Sequence, residues 1–369
     1  MSKKGKVLVA MSGGIDSSVA AMMLHDQGYE VIGMTMKTWD YESSGTQRKE
    51  TGCCSLDSIQ DARDVAVQNG FPHYILDIRE EFGESIIDNF VNEYLAGRTL
   101  NPCVLCNTHI KWEALLKRAD MLGCQYIATG HYAKLRYENQ RYVVSKGRDA
   151  SKDQTYVLWG LSQECLARTL WPLGTFLKSE IRDMAVSYGF EHLAKKSESY
   201  DICFIPDNDY RAFLNHRIPG LEKQLEGGSF IYKNNTVGRH RGYPFYTIGQ
   251  RKGLEIAMGH PVYVTAIDPD QNRVYLGDAS DLMDRFLKVR DLNLIKYRQL
   301  PDNFTARVKI RYKDPGAMAT LHQINQQAEV VFHQPVSAIA PGQSAVFYEG
   351  DDLVGGGFIA PLDSKVIKS

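Results

Sequence analysis

Cysteine, long apolar stretches and net charge are all scarce in this sequence. Seven cysteines in 369 residues is a low and odd count, which argues against a disulfide framework and favours reduced thiols. No stretch approaches the ~18 apolar residues that a membrane-spanning helix needs. The amino-terminal MSKKGKVLVAM has too short an apolar run for a signal peptide. The sequence therefore predicts a soluble, cytoplasmic protein with no membrane partner.

The formal net charge of −1 conceals an uneven distribution of charge along the chain. Residues 41–100 carry 11 acidic and 5 basic side chains, whereas residues 285–313 carry nine basic and two acidic ones. Residues 227–253 add five basic side chains and no acidic one. Segregation of this kind attracts a polyanion locally. Two solvated basic faces are the alternative interpretation.

Residues 6 to about 135 alternate between apolar, β-branched runs and stretches with helical periodicity. This alternation is typical of a parallel sheet covered by helices. The predicted strands are 6–11, 30–37, 73–78 and 125–132, and the predicted helices are 17–28, 55–70, 80–97 and 109–123. Residues 134–147 predict a hairpin that turns at Asn139-Gln140.

The pattern changes twice in the remainder of the chain. Residues 150–215 are mostly helical, with a polar loop at 195–201, whereas short strands separated by turn residues follow Gly227. These strands predict all-β modules. We therefore expect an α/β domain at 1–215, a small β-rich domain at 216–284 and a β-barrel at 285–369.

The segment SGGIDSS, residues 12–18, lies between the first strand and the first helix. Paired glycines let the backbone turn with its N–H groups outward, and the helix adds the positive end of its dipole. No Gly-Lys-Ser/Thr follows, so this is not a Walker loop. Phosphate binding and an ordinary capped turn both remain open from the residues alone.

The cysteines divide into three groups. Cys53 and Cys54 are adjacent and receive no assigned role, and Cys124 and Cys165 lie in apolar contexts typical of small core residues. The third group comprises Cys103 and Cys106 in NPCVLCN and Cys203 in DICFIP. We expect Cys106 to precede a helix beginning near Thr108, which would lower the pKa of its thiol. A purely structural role for each member of the group remains the alternative.

SGGIDSS directly after a strand resembles the PP-loop of the ATP pyrophosphatases. The resemblance implies a Rossmann-like α/β fold of the adenine nucleotide α-hydrolase type, with ATP and Mg²⁺ as cofactors and Asp16 assisting the magnesium. It also implies that Met36 lies beside the adenine, for which an ordinary core methionine is the alternative. The implied ATP-binding residues are Ala10, Met11, Ser12, Gly13, Gly14, Ile15, Asp16, Ser17, Met36 and Gly130.

The motifs AGRTLNPCVLCN, ATGHY, SKDQTYVL, DICFIP, YTIGQRKGL, RVKIRY and PGQSAVFY occur in this order. Together they resemble the tRNA-specific 2-thiouridylases over essentially the whole chain. The resemblance implies that ATP adenylates O2 of the wobble uridine of tRNA and that sulfur then displaces AMP. Cys203 would carry a persulfide and Cys106 would act as nucleophile, with a transient disulfide between them.

The same resemblance implies the partners. The substrates would be wobble-uridine tRNAs for Lys, Glu and Gln, and a cysteine desulfurase or a relay protein would supply the sulfur. The C-terminal barrel would contact tRNA. The implied contacts to the target base or to other parts of the tRNA are Asn101, Pro102, Cys103, His131, Lys152, Asp153, Gln154, Arg311, Tyr312 and Gln343.

Cys103 departs from the family pattern, because many members have Asp at this position. With Cys106 and Cys203 it supplies three thiols, which could hold an iron–sulfur cluster with one open iron. A cluster enzyme and a persulfide relay therefore remain alternatives. Two rivals are another PP-loop enzyme that modifies tRNA through an amine nucleophile, and a non-catalytic RNA-binding protein with a structural metal site.

Overall fold

The computed structural model describes residues 4–39, 55–196, 202–205 and 209–361. Cys53 and Cys54 lie outside these ranges, as does most of the polar loop predicted at 195–201. The chain divides into two compact units. The first comprises Met1–Ile87, Cys103–Asn208 and Asp351–Leu353, and the second comprises Asp88–Pro102, Asp209–Gly350 and Val354–Ser369.

A parallel sheet forms the centre of the first unit, as the sequence predicts. The strands of this unit are β1 (Lys6–Ala10), β2 (Glu30–Lys37), β3 (His73–Asp77), β4 (Tyr126–Ala128), β5 (Ala133–Glu138), β6 (Arg141–Lys146) and β7 (Thr169–Leu170). Five of them form the sheet in the order β3-β2-β1-β4-β7, with β1 in the middle. Because the described pairs are parallel, the carboxyl ends of β1, β2 and β4 lie at one edge.

Helices of very different length lie between these strands and in the second unit. They are α1 (Ile15–Asp26), α2 (Leu56–Asn69), α3 (Arg79–Phe82), α4 (Asp88–Leu95), α5 (Pro102–Leu105), α6 (Leu115–Met121), α7 (Gln163–Ala167), α8 (Lys178–Ser187), α9 (Glu191–Lys195), α10 (Tyr210–Arg217) and α11 (Leu221–Leu225). π-helical segments at Gly83–Ile87 and Cys106–Ala114 adjoin α3 and α5. Within the described ranges, no helix is both long and apolar enough to span a bilayer.

α1 is the helix most deeply buried in the core of the first unit. Its residues from Val19 to Leu24 are all buried, and they pack with Val7 and Val9 of β1. A helix that is apolar on every side needs neighbours on every side. α1 has them, because α2 and α8 also contribute buried residues to this core.

Two sequence predictions can be checked directly at the level of local structure. β5 and β6 form the predicted hairpin, and its turn residues Asn139 and Gln140 have φ of 50° and 60°. Positive φ at both positions is typical of a type I′ turn. The helix expected to begin near Thr108 begins instead at Pro102, so that prediction is wrong. Proline suits this first position because it has no N–H to leave unpaired.

The second unit contains the remaining β structure. Its strands are β8 (Gly228–Tyr232), β9 (Asn235–His240), β10 (Tyr263–Asp268), β11 (Arg273–Gly277), β12 (Met283–Leu294), β13 (Phe304–Lys309), β14 (Ala317–Ile324), β15 (Gln327–Ser337), β16 (Ser344–Glu349) and β17 (Asp352–Ile359). β8 to β11 form one sheet in the order β10-β11-β8-β9. β12 and β17 pair with each other and close the later strands into a barrel, as expected.

Candidate nucleotide and thiol site

The glycine loop joins β1 to α1 at the carboxyl edge of the sheet. Gly13 has φ of 67°, and a Cβ there would lie 1.9 Å from the carbonyl oxygen of Ser58. Both conditions restrict this position to glycine. Gly14 is the N-cap of α1 and provides no side-chain cap, since it has no side chain. The expected alternative of a Ser- or Asp-capped turn is therefore not what this loop forms, and the helix terminus suits an anion.

Two serines give the loop its internal bonding. The Ser17 hydroxyl accepts a hydrogen bond from the Ser12 backbone N–H at 3.0 Å and donates one to the Gly14 carbonyl at 3.1 Å. Ser17 is buried, whereas Ser12 is exposed at the loop surface. Ser17 thus holds the turn in shape, and Ser12 presents its hydroxyl at the surface of the loop.

Asp16 lies in the first turn of α1 and is bonded by two side chains that sequence analysis did not single out. Both of its carboxylate oxygens accept from the Lys178 ammonium at 2.7 Å. The Tyr132 hydroxyl donates to one of these oxygens, also at 2.7 Å. The Lys178 side chain is only 7% exposed, whereas that of Asp16 is 33% exposed.

This arrangement does not fit the expected magnesium role of Asp16. Mg²⁺ requires oxygen ligands in near-octahedral geometry, whereas both Asp16 oxygens already accept from an ammonium. Among the described residues no group of three or more His, Cys, Asp and Glu side chains could hold a metal ion. The Asp16 carboxylate therefore provides no magnesium site in this structure. Magnesium that arrives on a nucleotide is part of the substrate.

Met36 and Gly130 lie at the same edge of the sheet as the loop. Met36 is the penultimate residue of β2 and is half-buried. Gly130 follows β4, and a Cβ there would lie 2.7 Å from the backbone of Asp16 and Ser17. The absence of a side chain at Gly130 therefore lets this segment pass against the first turn of α1.

Cys103 and Cys106 are the second and fifth residues of the helical segment that begins at Pro102. Cys103 is exposed and Cys106 is half-buried. Because Cys106 lies inside the helix, the helix-terminus argument for lowering its pKa does not apply. Although part of Cys103 is accessible to solvent, the protein packed around its thiol desolvates it and raises its pKa, and the charge of Lys111 offsets part of this rise.

Cys203 belongs to the same unit and lies in an exposed turn. The next residue, Phe204, is buried and its ring packs edge-on against Phe82 at 5.8 Å. The turn is closed by a hydrogen bond from the Ile205 N–H to the Ile202 carbonyl. An exposed thiol is thus held beside an anchored aromatic ring.

The three cysteines do not fit the iron–sulfur alternative in this structure. Cys103, Cys106 and Cys203 are all described, yet they form no group with the spacing of metal ligands. A cluster with three protein ligands needs all three thiolates around one centre. These three thiols therefore provide no cluster site in this structure.

The expected tRNA contacts of the first unit have partners within that unit. His131 is buried, lies 2.6 Å from the Thr129 hydroxyl and packs against the ring of Trp112. Burial lowers the pKa of His131 well below its ordinary value, and the charge of Lys111 lowers it further. The histidine is therefore neutral at physiological pH.

The KDQ segment is similarly engaged. The Asp153 carboxylate accepts from the N–H and the hydroxyl of Thr155, and the Gln154 side-chain oxygen accepts from the Tyr132 N–H. Lys152 is half-buried in a short 3₁₀ turn. Asp153 thus fixes the turn at Thr155, and Gln154 connects this turn to the backbone of Tyr132.

Two of the five candidates in the second unit, Arg311 and Tyr312, lie at its surface. Arg311 is exposed, and its guanidinium donates to the carbonyl oxygens of Ser337 and Ala338. Tyr312 is 40% exposed, whereas the half-buried Gln343 donates to the Thr99 carbonyl at 3.0 Å. Asn101 is half-buried and Pro102 is buried.

Comparison with known proteins gives matches along the whole chain. Residues 5–207 match a model described as the tRNA methyl transferase HUP domain, residues 211–278 the tRNA methyl transferase PRC-barrel domain, and residues 284–359 the aminomethyltransferase beta-barrel domain. Curated relatives named tRNA-specific 2-thiouridylase MnmA come from Amoebophilus asiaticus and Cytophaga hutchinsonii. They are 64% and 61% identical, over 97% of this chain and 96% and 98% of their own lengths. This chain belongs to the tRNA-specific 2-thiouridylase family.

The 2-thiouridylase family membership extends to more distant relatives. A protein of the same name from Salinibacter ruber is 56% identical over 97% of this chain and 95% of its own length. The resemblance inferred from the motifs is thereby confirmed. The fold class is confirmed as well, because a HUP domain with a parallel sheet precedes a central domain and a closed C-terminal barrel.

Proposed function

We propose that this protein is a tRNA-uridine 2-sulfurtransferase. It uses ATP to adenylate O2 of the wobble uridine, position 34, and then replaces that oxygen with sulfur, so that AMP and pyrophosphate leave. The observation that carries the proposal is near-full-length identity of 56–64% to proteins named 2-thiouridylases. The glycine loop and the thiols of the half-buried Cys106 and the exposed Cys203 supply the two chemistries that such a reaction needs.

The nucleotide half of the reaction is assigned to the edge of the sheet. The phosphates lie at the glycine loop and the first turn of α1, within residues Ala10 to Ser17, where the α1 terminus favours negative charge. The half-buried side chain of Met36 supports a place for the adenine at the end of β2. A uracil carbonyl oxygen is a very poor leaving group, and adenylation turns it into the oxygen of AMP.

The sulfur half is assigned to Cys203 and Cys106. A sulfur donor, such as a cysteine desulfurase or a relay protein, loads Cys203 as a persulfide. The terminal sulfur forms a bond to C2 of the adenylated uridine, and the C–O bond to AMP breaks. The Cys106 thiolate then attacks Cys203, which breaks the persulfide S–S bond and leaves 2-thiouridine and a Cys106–Cys203 disulfide. An external thiol reduces this disulfide before the next turnover.

The RNA substrates are assigned as the wobble-uridine tRNAs for Lys, Glu and Gln. The exposure of Arg311 and Tyr312, and the nine basic residues in 285–313, support contacts between the barrel and the tRNA backbone. The exposed Cys103 and its neighbours Asn101 and Pro102 are assigned to the target base, which must leave the anticodon stack to react. Such a reaction takes place in the cytoplasm, among the tRNAs.

Mass analysis of nucleosides tests this function. Unmodified tRNA is incubated with the protein, ATP and a persulfide donor, and the proposal predicts 2-thiouridine at position 34 together with one pyrophosphate per event. Two of the matching families are described as tRNA methyl transferase domains, so a parallel reaction contains S-adenosylmethionine instead of ATP. A methylated nucleoside in that reaction, without any thiolated one in the first, would refute the proposal.

A further inference from the structure

Lys178 is a buried cation that the reaction outlined above does not use. It is the first residue of α8 and is 5% exposed, whereas lysine almost always keeps its charge in water. Burying an ammonium is unfavourable unless a partner compensates it. Its partner is Asp16, 162 residues earlier in the chain and directly after the glycine loop.

The electrostatics of the loop depend on this pair. Asp16 is the carboxylate in the first turn of α1, where an anion such as a phosphate would otherwise be favoured. A carboxylate beside a polyphosphate repels it, and the repulsion is strong where protein replaces water. The Lys178 ammonium, 2.7 Å from both carboxylate oxygens, cancels this charge.

The surroundings fix the pair in place. The Tyr132 hydroxyl donates to Asp16, and the Lys178 ammonium lies 5.9 Å from the centre of the Tyr132 ring. The backbone N–H of Lys178 donates to Asp149 at 2.9 Å, which holds the start of α8. The close approach of Gly130 to Asp16 leaves no room for a side chain on that side.

We propose that Lys178 is the cation that makes the glycine loop competent to bind a polyphosphate. Asp16 positions this ammonium rather than ligating magnesium, and Lys178 neutralises the carboxylate that would otherwise repel the phosphates. The inference deepens the proposed function and rests on its nucleotide half. It requires only electrostatic compensation and no new chemical step.

The test measures binding of inorganic pyrophosphate and of ATP by calorimetry, with Mg²⁺ present and with Mg²⁺ chelated. We expect Lys178→Met to lower the affinity for both ligands at least tenfold, with and without Mg²⁺. The negative charge of Asp16 is then uncompensated and repels them. The double variant Lys178→Met with Asp16→Asn should recover most of this loss, since it removes the repelling carboxylate. The double variant also replaces an ion pair with a neutral pair of similar size. It should therefore fold even if the single variant, which leaves a carboxylate without its cation, is unstable.

The control is Arg148→Met, which breaks an exposed ion pair with Glu180 of the same helix. It should leave pyrophosphate binding unchanged. The inference is overturned if Lys178→Met binds like the wild type, or if the double variant binds no better than the single one. It is also overturned if the single variant Asp16→Asn, measured alongside these, loses affinity for ATP or pyrophosphate only when Mg²⁺ is present, since that is the behaviour of a magnesium ligand. If the wild type binds neither ligand, the nucleotide half of the proposed function fails together with this inference.

Discussion

The side-chain amide of Asn107 donates a hydrogen bond of 2.9 Å to the carbonyl oxygen of Val157. Asn107 is buried and directly follows Cys106. The bond therefore connects the start of the π-helical segment, which contains Cys106, to the 3₁₀ turn Thr155–Val157 that follows Gln154. Gln154 in turn accepts from the Tyr132 N–H, beside the glycine loop. Hydrogen bonds therefore connect the surroundings of the two proposed chemistries within the first unit.

Asn107→Ala should both destabilise the first unit and slow thiolation. The Val157 carbonyl would lose its donor in a buried environment, which costs about 1–3 kcal/mol of unfolding free energy. All four tryptophans lie in the first unit, so denaturation followed by tryptophan fluorescence reports on it. ATP binding should persist while the rate of 2-thiouridine formation falls.

Asn69→Ala is the matched control for this prediction. Asn69 donates a similar bond of 2.8 Å to the Val65 carbonyl, at the end of α2. Its loss should lower stability without changing the thiolation rate of the folded fraction. An equal loss of rate in both variants would show that stability alone explains the effect.

Gly13→Ala should abolish nucleotide binding. Alanine there combines an unfavourable positive φ with a Cβ that would meet the Ser58 carbonyl at 1.9 Å, so the loop must move. Gly123 has the same φ of 67° but no atom within 4 Å of an added Cβ. Gly123→Ala should therefore cost about 1 kcal/mol of stability and keep ATP binding. Normal ATP affinity in Gly13→Ala would contradict this structure of the loop.

His131 should make the first unit sensitive to mild acid. Its lowered pKa keeps the folded state unprotonated, whereas the unfolded chain takes up a proton below about pH 6.5. The unfolding free energy should therefore fall as the pH drops below 6.5, by up to about 1.4 kcal/mol per pH unit from this residue. Tryptophan-monitored denaturation between pH 7 and lower pH measures the slope.

The slope should be smaller in His131→Phe, in which the ring next to Trp112 no longer titrates. The exposed His109, which lies 3.2 Å from Glu113 in the same π-helical segment, provides the control. His109→Gln should keep the acid sensitivity of the wild type. A wild-type slope in His131→Phe would mean that another group controls acid stability.

Arg311→Ala should weaken tRNA binding. It should also reduce the slope of log affinity against log salt concentration by about one, the amount expected for the loss of one phosphate contact. The exposed Lys223, also in the second unit, serves as a comparison, and Lys223→Ala should change neither quantity. Filter-binding titrations at several salt concentrations give the slopes. Because Arg311 also donates to the Ser337 and Ala338 carbonyls, thermal unfolding must be compared as well. An unchanged salt slope would remove Arg311 from the RNA surface.

Local patterns in the sequence predict much of this fold because short-range physics determines them. β2 spans the predicted residues 30–37, and the Asn139-Gln140 turn follows from residues that tolerate positive φ. The glycine loop is recognisable because only glycine suits the backbone and the close contact of Gly13. The start of the helix at Pro102 was missed although its signal was present, since Asn-Pro is a typical beginning of a helix.

Pairings over long sequence distances could not be predicted in the same way. Lys178 lies at the start of a polar helix and resembles a solvated residue until Asp16 is seen beside it, 162 residues away. The burial of His131 likewise depends on Trp112 and Thr129, which tertiary packing brings together. Such contacts depend on the whole fold, which single-residue patterns do not contain.

The most direct test of the account measures 2-thiouridine formation by Cys106→Ser, Cys203→Ser and Cys165→Ser, with wild-type protein, ATP, tRNA and a persulfide donor. Cys165 is half-buried in α7 and has no proposed role. We predict that the serine variants of Cys106 and Cys203 form no 2-thiouridine, while Cys165→Ser retains activity. Wild-type rates in either Cys106→Ser or Cys203→Ser would contradict the proposed sulfur transfer.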